Sequence, residues 1–185
     1  VLNNKVQSRA TETTVANIGG FSVYAYAHAS GVAADYTTTT PYYKGVAITV
    51  DATGGCTYTD PAKQKMWPQT DQLDFLAYSP ADYGLYLMGT VSVDMSAKLE
   101  ASNQQDLVVA KKLNESGVGV DNYKTEMKFN HALSQIKFKA MSKYATVNFK
   151  VKSIKITGVN TQGGTNLTTW TFTTPNGSAN TGNGL

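Results

Sequence analysis

The chain is short of charge, of histidine and above all of cysteine. A single cysteine, Cys56, excludes an internal disulfide. Set between Gly55 and Thr57 in a strand-like stretch, it is expected to be a small buried hydrophobe rather than a reactive thiol. Two histidines, His28 and His131, leave no HxH or HxxxH spacing for a histidine-rich metal site. Charged residues make up only 16% of the 185, well below the usual quarter. No apolar run approaches the roughly 18 residues of a membrane helix. The chain opens Val1-Leu2-Asn3-Asn4-Lys5 without a leader, as processed chains do, which says nothing against secretion.

Catalytic signatures are missing too. There is no G-x-S-x-G elbow, no P-loop and no G-x-G-x-x-G after a strand. Asp71 and Asp74 lie three apart, which on a strand turns them to opposite faces, so they read as a turn residue and a hydrogen-bonded strand start. No enzyme and no cofactor are expected. The formal net charge of +3 is too small to imply a nucleic-acid partner without a concentrated patch. Lys137, Lys139, Lys150 and Lys152 alternate with apolar residues, as on the solvated face of strands, and no aromatics interleave with them to stack bases.

Small polar residues fill the space that charge leaves, together with 16 Gly and 11 Tyr. Thr and Tyr favour strands; Gly, Asn and Ser favour the turns between them. Residues 1–18 read as a polar lead-in, exposed around Arg9-Ala10. Strands are expected over Phe21–His28, Gly45–Val50, Cys56–Thr59, Leu73–Pro80, Thr90–Asp94, Asp106–Ala110 and Thr168–Thr173. In the first, Phe21, Val23, Ala25 and Ala27 share one face, and Ser22, Tyr24, Tyr26 and His28 the other. Leu73–Pro80 is almost continuously apolar, which suits a strand covered on both faces. Residues 174–185 read as a flexible linker. About eight to ten short strands with Gly/Asn turns spell an all-β sandwich.

Parity adds detail. Met127 and Phe129 are odd, whereas Ile136, Phe138 and Ala140 are even, so a bulge or corner is needed within His131 to Gln135. A second switch, from Val147, Phe149 and Val151 to Ile154 and Ile156, places another near Lys152. His131 is expected to satisfy backbone groups freed by the first corner, with a ligand or pH-switch role as the alternative. Tyr36, Tyr42, Tyr43, Tyr83 and Tyr86 are placed in loops, and Tyr36, Tyr42 and Tyr43 are candidate glycan contacts. Asn114, Asn166 and Asn176 begin sequons of the kind an Asn/Thr-rich chain produces by chance.

Three stretches together carry a family resemblance. They are Met66-Trp67-Pro68 leading into Leu73–Pro80, then Gln105–Ala110, and then Phe129-Asn130-His131-Ala132-Leu133-Ser134 followed by an alternating strand. In this order and spacing they resemble the fimbrillin-like subunits of Bacteroidetes type V pili over roughly Arg9 to Phe172. The resemblance implies a transthyretin-like β-sandwich of about seven to ten antiparallel strands. It would span residues 19–173, with 174–185 leading to a second sandwich. It makes Phe129, His131, Leu133 and Ser134 structural motif residues. It further implies export as a lipoprotein of the outer membrane or pilus, and partnership with other pilus subunits through a donated strand. It also implies maturation by an Arg-directed protease at Arg9-Ala10. Adhesion to a host or bacterial surface glycan or protein fits the same resemblance. The alternative is a surface carbohydrate-binding module of a glycan-acquisition system, since sandwiches and loop tyrosines suit both.

Overall fold

The computed structural model describes residues 13–82, 85–87, 89–94, 105–117, 124–133, 138–139, 141–143, 149–154, 162–167, 171–173 and 179–180. Arg9, Ala10, Tyr83, Ser134 and Gln135 lie outside them.

Among the described residues eleven strands form two antiparallel sheets. The first sheet is built from β1 (Gly20–His28), β2 (Tyr43–Val50), β3 (Cys56–Tyr58), β4 (Gln72–Ser79), β7 (Val108–Ser116) and β8 (Phe129–His131). Its order is β3-β2-β1-β4-β7-β8. The second holds β5 (Leu85–Leu87), β6 (Thr90–Asp94), β9 (Gln162–Asn166), β10 (Thr171–Thr173) and β11 (Ala179–Asn180). Its order is β11-β10-β9-β6-β5. The all-β expectation holds. β11 places two residues of the expected linker on the sheet beside β10.

Two bulges set the register of the larger sheet, and each rests on a residue with positive φ. Between β1 and β2 the pairing steps from Val23↔Val46 to Ala25↔Tyr43, so β2 carries one extra residue. Gly45, at φ 58°, takes the left-handed turn this requires. The tight contact Tyr24 makes at Gly45 leaves little room there for a side chain. Between β4 and β7 the step runs from Leu73↔Glu115 to Phe75↔Lys112, and Asn114 adopts φ 59°. Asn tolerates this region better than most residues. Its amide is then met by a carboxylate, with Asn114 N–H donating to Asp74 Oδ1 at 2.7 Å.

The larger sheet is apolar on both faces. One face packs on the smaller sheet and forms the sandwich core of Tyr26, Leu76, Tyr78, Leu107 and Val109 against Val91 and Leu167. Its tyrosines are paired internally. Tyr24 stacks on Tyr86, and the Tyr26 and Tyr86 hydroxyls are 2.9 Å apart. A buried phenol needs such a partner. Burial and the Tyr26 hydrogen bond push the Tyr86 hydroxyl above the usual tyrosine range. Tyr86 is thus a strand residue of the core, not a loop residue. Phe21, Val23, Ala25, Leu73, Phe75 and Ala77 line the opposite face.

Several expected strands differ. Cys56 is exposed because β3 is a three-residue terminal strand, and partial desolvation followed by the Asp51 charge raises its thiol pKa. The strands expected from alternation around 136–141 and 147–156 are not seen in the described part. Residues 149–154 form no ladder, and Phe138, Phe149, Val151 and Ile154 are about half exposed. Alternation records which surface a strand would present; it does not supply the neighbour that covers it.

Candidate functional site

The outer face of the larger sheet forms the floor of a groove of about 980 Å³. β1 contributes Phe21 and Val23, β2 contributes Ile48 and Val50, and β4 contributes Leu73 and Phe75. The β2 bulge makes this possible. It lets Tyr43, at an odd position, share a face with Val46 and Ile48 at even ones.

The walls come from segments that are not strands. The lead-in supplies Thr13, Thr14, Val15 and Ile18 along one margin. Two turn bonds shape it, Ile18 N–H to the Thr14 carbonyl at 2.9 Å and Thr14 N–H to Asn17 Oδ1 at 2.6 Å. The loop after β3 brings Lys65, Met66 and Trp67. Trp67 meets Phe75 edge-on, with centroids 5.6 Å apart, and fits only because residue 117 is glycine. A Cβ there would lie 2.7 Å from the Trp67 Cβ. Residues 124–128 and β8 close the other side with Lys124, Met127, Lys128 and Phe129. Phe129 packs on Phe21 at 5.0 Å.

Charge sits on this apolar trough only at its rim. Lys65 Nζ donates to the Tyr42 carbonyl and lies 4.8 Å from the Tyr42 ring centroid, a cation–π placement. His131 Nδ1 lies 2.6 Å from Asp106 Oδ2, and that oxygen also accepts the Thr13 amide at 3.0 Å. One carboxylate therefore ties the lead-in to β8. Among the described residues no group of three His, Cys, Asp or Glu could hold a metal ion. No helix there is long and apolar enough to cross a membrane.

The fimbrillin-like family model matches residues 8–184. The chain belongs to the fimbrillin-like family. Comparison with curated proteins and with solved structures finds no match. Membership identifies this fimbrillin-like chain as a subunit type of cell-surface pili, associated with other pilus subunits. The matched residues run past 173, through the two residues of β11.

The motif residues of this fimbrillin-like chain divide between the two faces. Phe129 packs on the groove side, whereas Ala132 and Leu133 pack with the sandwich core. A continuing strand would keep 129 and 133 on one face, so the chain turns over between them. His131 is half-buried, and its Nδ1 lies beside the Asp106 carboxylate. The candidate glycan tyrosines are engaged internally. Tyr36 donates its hydroxyl to Asp74 Oδ2, and Tyr42 to the Met66 carbonyl. Tyr43 is buried, 2.9 Å from the Tyr58 hydroxyl.

Two features are invisible in sequence. Asp74 is buried and accepts from Tyr36 and Asn114, and its Oδ1 lies 3.1 Å from His28 Nε2. It is a structural hub for the β7 bulge. Asp106, the latch of the lead-in, has no local signal because its partners lie 93 and 25 residues away.

Proposed function

We propose that this protein is a structural subunit or adhesin of a bacterial pilus, and that it assembles by accepting an extended segment of a neighbouring subunit in the groove over Phe21, Val23 and Phe75. The observation that carries the reading is a groove lying over a second apolar cluster, on the face of the larger sheet opposite the sandwich core. Apolar side chains of an inserted segment would be buried in this groove, which favours association, and β3 and β8, the end strands of the larger sheet among the described residues, are where an added strand would pair. A joint of this kind is head-to-tail and grows filaments rather than closed rings.

Maturation at Arg9-Ala10 by an Arg-directed protease fits the same reading. The lead-in that follows this site walls the groove and is held to it by Asp106. Export as an outer-membrane lipoprotein belongs with this proposal.

The test is limited trypsin digestion with N-terminal sequencing, followed by light scattering with full-length pilus subunits. The expected result is a first cut after Arg9 and multimers formed by the clipped protein. A Phe129→Asp variant, clipped in the same way, should stay monomeric. Equal multimer formation by intact, clipped and Phe129→Asp protein would overturn the groove as the joint.

A further inference from the structure

We infer that the segment this groove accepts alternates apolar with acidic residues, and that the charge of the rim disfavours a second copy of this chain as the donor through its basic segment 149–154. The inference rests on the reading of the groove as a strand acceptor and concerns which strand it takes.

The floor fixes half of the donor. Phe21, Val23, Leu73 and Phe75 offer no polar side chain, so every second residue of an occupant must be apolar. The remaining residues point up and outward, where the rim meets them. Among the described residues three lysines line the groove, Lys65 on one margin and Lys124 and Lys128 on the other, and Glu126 is the one glutamate with them. Asp106 is already committed to His131 and to the Thr13 amide. The rim is therefore net positive on both margins. Lys65 is held in place by the Tyr42 carbonyl and ring, so its charge is preorganised. Long lysine stems can lie along apolar surface while their ammonium groups reach the upper row of an inserted strand.

The same arithmetic bears on self-capping. The exposed segment 149–154 reads Phe-Lys-Val-Lys-Ser-Ile, and Phe149, Val151 and Ile154 are about half exposed. Its apolar residues could enter a groove on another copy, but Lys150 and Lys152 would then meet a rim of the same sign. Like-charge contact at an interface works against the wrong partner, and opposite charge speeds the right one.

The test titrates three labelled ten-residue peptides into the clipped and the intact protein, read by fluorescence anisotropy. The peptides share one apolar register and carry Glu, Gln or Lys at the alternate positions. At low salt the Glu peptide should bind about five- to ten-fold tighter than the Lys peptide, the sum of a few weak exposed pairs. The gap should shrink to about two-fold or less at 0.5 M salt. A Lys124→Gln/Lys128→Gln variant should lose most of the gap while keeping its affinity for the Gln peptide. Equal binding by all three peptides, or preference for Lys, would overturn the charge inference and leave the groove reading standing. Binding by none would overturn the groove reading itself, and this inference with it.

Discussion

β1 sends Tyr24 and Tyr26 to one side of the larger sheet and Phe21, Val23 and Ala25 to the other, and the two sides are finished differently. The side that carries phenols is closed, with Tyr24 stacked on Tyr86 and the Tyr26 and Tyr86 hydroxyls paired across the sandwich. The side on which β1 carries only hydrocarbon lies under the groove, where β2 adds the internally bonded Tyr43. Composition along one strand would suggest the reverse, since the more apolar face is the usual core face. A core can hold tyrosines when a second sheet supplies partners for them. On the proposed reading, a groove that takes a polypeptide does better with floor side chains that ask for no specific hydrogen bond. The difference separates residues of the sandwich core from residues that, on the proposed reading, serve association.

The largest expected loss is on the closed side. Asp74→Ala removes the shared acceptor of Tyr36 and Asn114 and leaves the buried His28 without its carboxylate. The cost should be about 3–5 kcal/mol, as for other buried pairs broken from one side. Urea denaturation with unchanged m-value measures it. A loss below about 1 kcal/mol would mean the hub is not needed for the β7 bulge.

Next comes a matched truncation of the two faces. Leu76→Ala on the closed side, where Leu76 is fully buried, should cost about 3 kcal/mol. Phe129→Ala on the groove side, where Phe129 is half-buried, should cost about 1–2 kcal/mol and weaken peptide capture more than it weakens folding. If the two variants lose the same stability, the groove face is as much a part of the folded core as the closed one, and the contrast between them collapses.

How much of this was legible follows from the range of the interactions. β4 was readable because its nearly unbroken apolar run demands cover on both faces, and the structure buries it from Leu73 to Ser79. The turnover near His131 falls close to the corner expected from parity, although the strand at 136–140 on which that expectation rested is not seen among the described residues. The same argument was available at Tyr43 and Val46, but a strand begun at Gly45 hides the bulge that Gly45 itself makes. β9 was missed because Gln162-Gly163-Gly164 looks like a turn, although β9 pairs on both sides with β6 and β10. The groove had the weakest signal of all. Its floor is assembled from strands that are distant in sequence, and its latch depends on Asp106, whose contacts no local pattern announces.

A smaller effect comes from alkali. Burial, followed by hydrogen bonding, raises the hydroxyl pKa of Tyr36 and Tyr86 on the closed face and of Tyr43 under the groove. A group whose folded pKa is raised contributes fully below its unfolded value, near 10, and that contribution is lost as pH rises toward the folded one. Tm should therefore be flat from about pH 7 to 9 and fall by several degrees above about pH 10. Phenolate absorbance for these tyrosines should appear only with unfolding. A Tyr43→Phe variant sharpens the comparison: if it alone flattened the alkaline limb, the groove side rather than the sandwich would control it.

The smallest effect distinguishes the latch from the motif histidine. His131 and Asp106 form one pair, but they are not equivalent. The His131 side chain is 43% exposed and that of Asp106 only 13%, and Asp106 alone also holds the Thr13 amide. His131→Ala removes a half-exposed hydrogen-bond partner and should cost about 1 kcal/mol or less. Asp106→Ala takes the acceptor from both partners and should cost about 1–2 kcal/mol, with most of the change confined to the groove margin. Hydrogen exchange reads that margin directly. The Thr13 amide should exchange markedly faster in Asp106→Ala and only slightly faster in His131→Ala, while the β4 amides stay protected in both. Trypsin should then cut after Arg9 sooner in the Asp106 variant, because a lead-in freed from the groove enters a protease more easily. Equal exchange at Thr13 in the two variants would show that the carboxylate serves the histidine and not the lead-in, and the wall of the groove would need another anchor.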